Sequence, residues 1–434
     1  MPNPSLNTRI QKTFLIRARY RVRFISFVGM TTSPAQPQSR NHDREYDIVV
    51  YGATGFVGRL IVDYLAKHAG QTKVALAGRN AQKLADVAEN AGVSDWPVIV
   101  ADAADQQAVA KLAASTKVVL TVVGPYAKYG RTLVAECAKA GTHYVDLCGE
   151  VLFVHDSIAN NHEVAQQTGA KIVHSCGFDS IPSDVAVREL HEAAHTKLGE
   201  TTLLFKHVKG GVSGGTIDSV RVQLEQAKKD PKLRRIIADQ YALAEPGPDQ
   251  GKFGVDLRPA RFRRHWRAPF FMSPFNTRIV QRSAMLADYG DSFRYRELLN
   301  VGRGPKAFVR ANAFAAVCRL ALAAMAFAPT AKLIDKKLPK PGEGPSAEAR
   351  AEGRFTIEAY TVDTSGIHWR SKVSLEEDPG YEGTAMMISS AALALVHDDL
   401  PDTTGVLTPT VALGDALSRR LRAGGMTIEA VQAR

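Results

Sequence analysis

Cysteine is scarce. Cys137, Cys148, Cys176 and Cys318 are the four in 434 residues, and they form neither a CxxC pair nor a zinc-ligand spacing. A disulfide framework and a structural zinc are thereby excluded; reduced thiols in a cytoplasmic, metal-free protein are expected. The 34 glycines and 21 prolines follow no short period, which rules out collagen-like, low-complexity and solenoid designs. A long uninterrupted apolar run is also missing. The most apolar stretch, 307–328, contains Arg310 and Arg319, and an arginine at mid-span costs about 2.5–3.5 kcal/mol, so a simple transmembrane helix is disfavoured. Acids are absent from two stretches: residues 1–29 carry six cations and residues 257–287 carry seven arginines, with no Asp or Glu in either. Taking those cations away from the net charge of +11 leaves the rest at −2. The basic surplus is therefore local, no recognised nucleic-acid-reading helix or strand accompanies it, and nucleic acid is not an expected partner.

What is present is an ordinary globular composition, 45% apolar and 23% charged, in a chain long enough for two domains. Arginines break up Phe14–Val28, so it is not the apolar core of a secretory signal. Either a transit peptide or a start at Met30 followed by a polar leader would explain residues 1–44, and they are left outside the expected fold.

From Tyr46 onward, short apolar runs alternate with amphipathic helical stretches, the pattern of parallel strands joined by helical crossovers. The first strand, 47–51, runs into Gly52-Ala53-Thr54-Gly55-Phe56-Val57-Gly58, and a helix follows. In that context Gly52 permits the tight turn, Gly55 lets the backbone approach a pyrophosphate, and Gly58 lets the helix pack on the strand, while the helix N-terminus favours an anion. The second strand, 73–77, ends in Arg79, where an NAD enzyme would present a carboxylate to the ribose 2′-hydroxyl. A guanidinium suits a 2′-phosphate instead, so Arg79, with Lys83 one turn later, points to NADPH. Asp102, after a third strand at 97–101, would accept from adenine or cap the next helix. A fourth strand, 118–123, delivers Gly124, Pro125, Tyr126 and Tyr129 to the nicotinamide side, and strands at 143–147 and 171–174 complete six.

These segments, together with Gly141-Thr142-His143-Tyr144-Val145-Asp146, Gly149-Glu150 and Cys176-Gly177-Phe178-Asp179-Ser180-Ile181-Pro182-Ser183-Asp184, resemble the saccharopine dehydrogenase-like oxidoreductases. Ser213-Gly214-Gly215-Thr216, Ala268-Pro269-Phe270, Pro274-Phe275-Asn276-Thr277-Arg278 and Gly405-Val406-Leu407-Thr408-Pro409 bring the resemblance closest to the mycobacterial trans-acting enoyl reductases, over roughly residues 45–425. The resemblance implies an NADPH-dependent reduction of a double bond in an acyl chain carried as a thioester by a polyketide synthase, in complex lipid biosynthesis. Reduction of an imine or carbonyl, or NADP binding without turnover at a membrane, are the alternatives.

The expected fold is α/β: a Rossmann-type doubly wound sheet over 45–184, a second α+β domain over 185–384, and C-terminal helices (385–434) returning to the first. Strand-like segments at 203–205, 356–360 and 367–374 suggest an open sheet with one wet face. Tyr126 is the first candidate for acid or oxyanion donor and Tyr129 the second; Asp146 and Asp179 would orient rather than donate. Asp179 to Asp184 reads either as a helix start or as the substrate mouth, and Ser213 to Thr216 as a flexible helix start or a nest of donors. The arginines of 257–287 would form a docking face for an acidic acyl carrier or anionic lipid, or a solvated loop. On the 307–328 helix a stripe of Phe314, Val317, Cys318, Ala321 and Met325 would face the protein or a membrane, leaving peripheral contact with the inner face of the plasma membrane open.

Overall fold

The computed structural model describes residues 44–210, 214–251, 258–326 and 344–433; the leader expected over 1–43 lies outside them. Tyr46–Tyr51 (β1) turns into Phe56–His68 (α1), followed by Val74–Gly78 (β2), Ala81–Asn90 (α2), Val98–Val100 (β3), Gln106–Ser115 (α3) and Thr116–Thr121 (β4). Tyr126–Tyr129 (α4), Arg131–Ala140 (α5), His143–Asp146 (β5), Val151–Thr168 (α6) and Lys171–Val173 (β6) come next. The chain then builds Ile181–Ala194 (α7), Leu198–Lys209 (β7), Gly214–Lys229 (α8), Pro231–Ala238 (α9), Ala260–Phe262 (β8), His265–Pro269 (β9) and Ser273–Leu286 (α10). Arg294–Gly302 (β10), Gly304–Ala326 (α11), Ala347–Ala351 (α12), Arg354–Asp363 (β11) and His368–Leu375 (β12) continue it, and Glu382–His397 (α13), Gly405–Leu407 (β13), Pro409–Ala423 (α14) and Thr427–Gln432 (β14) end it.

Ile48, Val49 and Val50 have no exposed surface, as a strand covered on both faces requires. The first sheet is parallel throughout, in the order β13-β6-β5-β4-β1-β2-β3. The order reverses between β1 and β4, and the crevice of a doubly wound sheet opens outside the strand ends at such a reversal. A seventh strand, β13, pairs with β6 beyond the six expected; with only Gly405, Val406 and Leu407 in it, no periodicity announces it. α13 is buried on every side from Gly383 to Leu395, the mark of a helix enclosed by other elements, and packs on α1 and β4.

The second sheet is mixed, β14-β12-β11-β7-β10-β9-β8, with β7 and β10 parallel and the other pairs antiparallel. Along β11, Phe355, Ile357 and Ala359 point inward while Thr356, Glu358 and Tyr360 face outward. α7 covers the inner face, and Lys206 pairs with Glu358 on the outer one at 2.9 Å. Part of the final segment does not go back to the first sheet: β14 pairs with β12 at the edge of the second. The two sheets are thus tied by chain crossing both ways.

The basic stretch 257–287 is corrected in part. Arg258, Arg261, Arg263 and Arg264 are exposed, but Arg267, Arg278 and Arg282 are buried. The guanidinium of Arg278 donates to the carbonyls of Asp239 (2.8 Å), Ile237 (2.5 Å) and Pro274, and Arg282 donates to those of Leu243 (2.8 Å) and Val406 (2.7 Å). Carbonyls at the end of α9 have no intrahelical donor, and Arg278 supplies one. Desolvation pushes both guanidinium groups down to about 10, at Arg278 against a smaller opposing pull from Asp239 and at Arg282 unopposed. These two arginines hold loops together rather than meet a partner. Of the two faces expected for the apolar stripe on α11, protein or membrane, the protein side is corrected: Val317 is exposed, Phe314 and Cys318 are half-buried, and the residues turned inward are Ala307, Ala311 and Ala315. The side chains of Ala321 and Met325 lie outside the described residues.

Candidate active-site cleft

A cleft of about 880 Å³ lies along the carboxyl ends of the parallel strands. Its floor begins at the β1–α1 turn. Gly52 adopts φ +97°, and a side chain there would meet Val123 at 2.8 Å. A methyl on Gly58 would collide with the Gly52 carbonyl oxygen and lie 2.9 Å from the Ala53 backbone. Gly55 sits at the N-cap of α1 with no side-chain cap, and a methyl there would meet only the Gly52 oxygen, at 3.3 Å. The turn therefore presents bare backbone and an uncapped helix end to the cleft, the arrangement that binds a diphosphate. Thr54, Phe56 and Val57 line it too, whereas Ala53 is buried beneath.

Arg79 and Asp102 stand exposed at the ends of β2 and β3, both lining the cleft. The Asp102 carboxylate accepts from the Ala104 backbone at 2.9 Å in the turn before α3. The cap of α3 is Asp105, which accepts from the N–H groups of Gln107 and Ala108, so Asp102 does not cap that helix. Lys83 does not line the cleft; its backbone N–H is capped by the Asn80 side chain at 3.0 Å. Gly124 and Pro125 reach the cleft after β4, with Leu147, Cys148 and Gly149 after β5 and Ser175, Gly177, Phe178 and Asp179 after β6.

Tyr126 lines the cleft, yet its hydroxyl is taken. It donates to the Thr121 carbonyl (3.3 Å) and accepts from the Leu147 N–H (3.1 Å), and the residue is 5% exposed. Burial and nearby Asp146 drive its pKa far up. Tyr126 pins the ends of β4 and β5 together and is not poised to donate a proton. Tyr129 is 38% exposed, with the Lys128 ammonium 5.1 Å from its ring centre. Asp179 has no hydrogen-bond partner among the described residues, and burial pushes its carboxyl up to about 6. Ser180 occupies the N-cap of α7 without a side-chain bond, and its hydroxyl is buried and unpartnered. Asp184 accepts from Ser283 and from the N–H (3.0 Å) and hydroxyl (2.8 Å) of Thr410. Of that segment, then, Asp179 faces the cleft and Asp184 ties α7 to α10 and α14.

Beneath the cleft, Asp146, His174 and Ser157 repeat a hydrolase constellation: His174 Nδ1 lies 2.7 Å from the Asp146 carboxylate and Nε2 lies 2.8 Å from the Ser157 hydroxyl. All three are at most 1% exposed, and a nucleophile that no substrate reaches is structural. Asp146 also accepts from the N–H groups of Cys148 (3.0 Å) and Ser175 (2.9 Å). It thereby fixes the two loops at the reacting end. Glu150 does the same one layer higher, accepting from the N–H groups of Tyr126 and Ala127 (each 2.8 Å) and from Ser219 of α8 (2.7 Å).

The opposite wall comes from the second sheet's half: Gly214, Gly215, Asp218 and Arg221 of α8, Phe271 and Met272 before α10, and Tyr381 and Thr384 at the start of α13. Asp218 and Arg221 pair at 2.7 Å, and Tyr381 meets Phe56 edge-on at 5.1 Å between ring centres. Ser213 and the Thr216 side chain, expected in a donor nest, lie outside the described residues, but the two glycines between them do line the wall. Only those glycines could be found by motif; Asp218, Arg221 and Tyr381 sit in unremarkable sequence.

A parallel sheet with a glycine turn at its order reversal, a cation in place of an acid after β2 and a second domain closing the cleft define an NADP-binding oxidoreductase. The comparisons agree. Residues 48–173 match the saccharopine dehydrogenase NADP binding domain. A Mycobacterium tuberculosis protein provisionally named a trans-acting enoyl reductase is 44% identical over 412 residues, 89% of this chain and 97% of that one. The trans-acting enoyl reductase of Mycobacterium ulcerans is 40% identical over 413 residues, 90% and 98% of the two chains. The fold also matches apo saccharopine dehydrogenase (L-Glu forming) of Saccharomyces cerevisiae, with TM-score 0.50 at 13% identity, covering 90% of this chain and all of that one. The chain belongs to the saccharopine dehydrogenase-like oxidoreductases, in the group that includes the mycobacterial trans-acting enoyl reductases. It binds NADP(H).

Proposed function

We propose that the protein reduces the C=C bond of an enoyl thioester, with NADPH as reductant and an acyl carrier domain presenting the chain. The observation that carries this reading is the extent of the likeness: 40–44% identity runs through about nine-tenths of the chain, so it includes the wall where substrate would lie as well as the nucleotide floor.

NADPH bound here supplies a hydride. The turn from Gly52 to Gly58, and the α1 N-terminus, would hold its diphosphate, Arg79 its 2′-phosphate, and Gly124 and Pro125 would lie beneath its reacting end. Asp179 is the group this structure offers for the α-carbon: a carboxyl raised to about 6 by burial retains its proton at mildly acidic pH and can give it to an enolate. Tyr129 would orient the thioester oxygen, while Tyr126 and Glu150 act as positioning residues. The exposed arginines Arg258, Arg261, Arg263 and Arg264, with no acid in their stretch, suit the acidic surface of a carrier.

The test is NADPH consumption with a panel of carrier-linked enoyl thioesters beside a panel of amino-acid imines and ketones. Turnover confined to the thioesters supports the proposal. Turnover confined to imines or ketones would move the protein to the other branch of chemistry, and NADPH binding with no turnover on any of them would remove the enzymatic reading.

A further inference from the structure

α11 is packed in the reverse of the usual sense. A helix on a soluble surface turns its large apolar side chains inward, yet here the inward residues are Ala307, Ala311 and Ala315, each at most 2% exposed, while Val309, Val317 and Leu320 are 62–68% exposed and Phe308 is 45% exposed. The small residues let α11 lie close on β9, with Phe308 against Trp266 at 4.7 Å between ring centres. At about 100° per residue, Val309, Ala313, Ala316 and Leu320 form one outward ridge. Lys306 and Arg310 flank it on one side and Arg319 on the other. No Asp or Glu occurs in the helix's 23 residues.

We infer that this ridge docks the protein on an anionic lipid surface. An apolar ridge a few side chains deep, bordered on both sides by cations and free of acids, matches the boundary between acyl chains and negatively charged headgroups. Long cationic side chains beside such a ridge keep their charges in the headgroup layer while their stems stay apolar. No helix among the described residues is long and apolar enough to cross a membrane, so the contact is with the surface. α11 also packs on α8, whose residues wall the cleft, and Phe271 at that wall is 43% exposed. Docking would therefore set the second-domain wall of the cleft beside the lipid. The link to an acyl substrate rests on the function proposed above; attachment to the surface does not, so the two can fail separately.

The experiment is co-sedimentation of the full chain with vesicles of phosphatidylglycerol and phosphatidylcholine, and with phosphatidylcholine alone, at low and high salt. The wild type is expected to sediment with the anionic vesicles and to lose affinity with salt, since each cation near such a surface contributes about fivefold to binding. The N-terminal stretch also holds six cations, so the deciding comparison is within the helix. Val309→Glu with Leu320→Glu should weaken binding to anionic vesicles at least tenfold, and Val309→Ser with Leu320→Ser should weaken it without adding charge. NADPH titration of both variants, expected to match the wild type, confirms that they fold. Failure of the wild type to bind anionic vesicles, or equal binding by wild type and variants, would overturn the inference. So would a dimer in solution that the variants dissolve while vesicle binding stays intact, because the ridge would then be a contact between copies.

Discussion

Gly58→Ala is the sharpest perturbation of the nucleotide floor. In an exposed helix interior this change would gain roughly 1 kcal/mol from helix propensity. At Gly58 the added methyl collides with the Gly52 carbonyl oxygen and stands 2.9 Å from the Ala53 backbone; no flexible side chain is there to yield. Overpacking against fixed atoms costs about 1–3 kcal/mol, so the net expectation is neutral to about 2 kcal/mol destabilising, with the turn pushed off the helix. NADPH affinity should fall about 10- to 100-fold, because the diphosphate depends on backbone donors whose positions set their strength. Gly55→Ala is the control. Its methyl meets only the Gly52 oxygen, at 3.3 Å, and otherwise occupies cleft space, so the apo protein should melt within a degree or two of wild type while NADPH binding still weakens. Thermal unfolding with and without NADPH, together with calorimetric titration, separates the two. If Gly58→Ala keeps wild-type NADPH affinity and melting, the turn does not hold the diphosphate.

Arg79→Ala should weaken NADPH by about 10- to 100-fold, the worth of charge-assisted hydrogen bonds to a phosphate, and NADH by less than about threefold; equal losses would place the 2′-phosphate elsewhere. Asp179→Asn should abolish the decline in kcat as pH rises through about 6, the value to which burial raises its carboxyl, whereas Tyr126→Phe should leave that profile unchanged and cost about 1–2 kcal/mol of stability by stranding the Leu147 N–H. The same Asp179 shift has a sign in stability. A folded-state value raised above the unfolded one contributes stability fully present below pH 4 and lost as pH passes 6, so the Asn variant should gain on wild type, by about 1–2 kcal/mol after solvent screening, only on the alkaline side. Arg282→Met should lower the melting temperature by several degrees, because the Leu243 and Val406 carbonyls lose buried donors, a loss of about 2–4 kcal/mol.

The nucleotide floor was legible because its chemistry is local. A turn that needs Gly52, Gly55 and Gly58 shows in seven consecutive residues, and Arg79 follows at a fixed remove. The opposite wall was not legible, since Asp218, Arg221 and Tyr381 meet the floor only through the crossing of chain between sheets. Distance along the chain also misled at the arginines: the partners of Arg278 and Arg282 are backbone carbonyls as far off as Val406, and no acidic neighbour hints at them. Tyr126 stood at the right strand end for catalysis, but its hydroxyl was claimed by a carbonyl and an N–H that any sequence supplies. On α11 the large apolar stripe was expected to face the protein or a membrane, and the alanines took the protein side because they allow closer approach to β9.

The most direct measurement is the fate of deuterium carried at C4 of NADPH during turnover with an unsaturated acyl thioester. The account predicts one deuterium at the former β-carbon of a saturated product, located by mass spectrometry or NMR. Deuterium on an imine or carbonyl carbon of a competing substrate, with the thioester recovered unchanged, would contradict it.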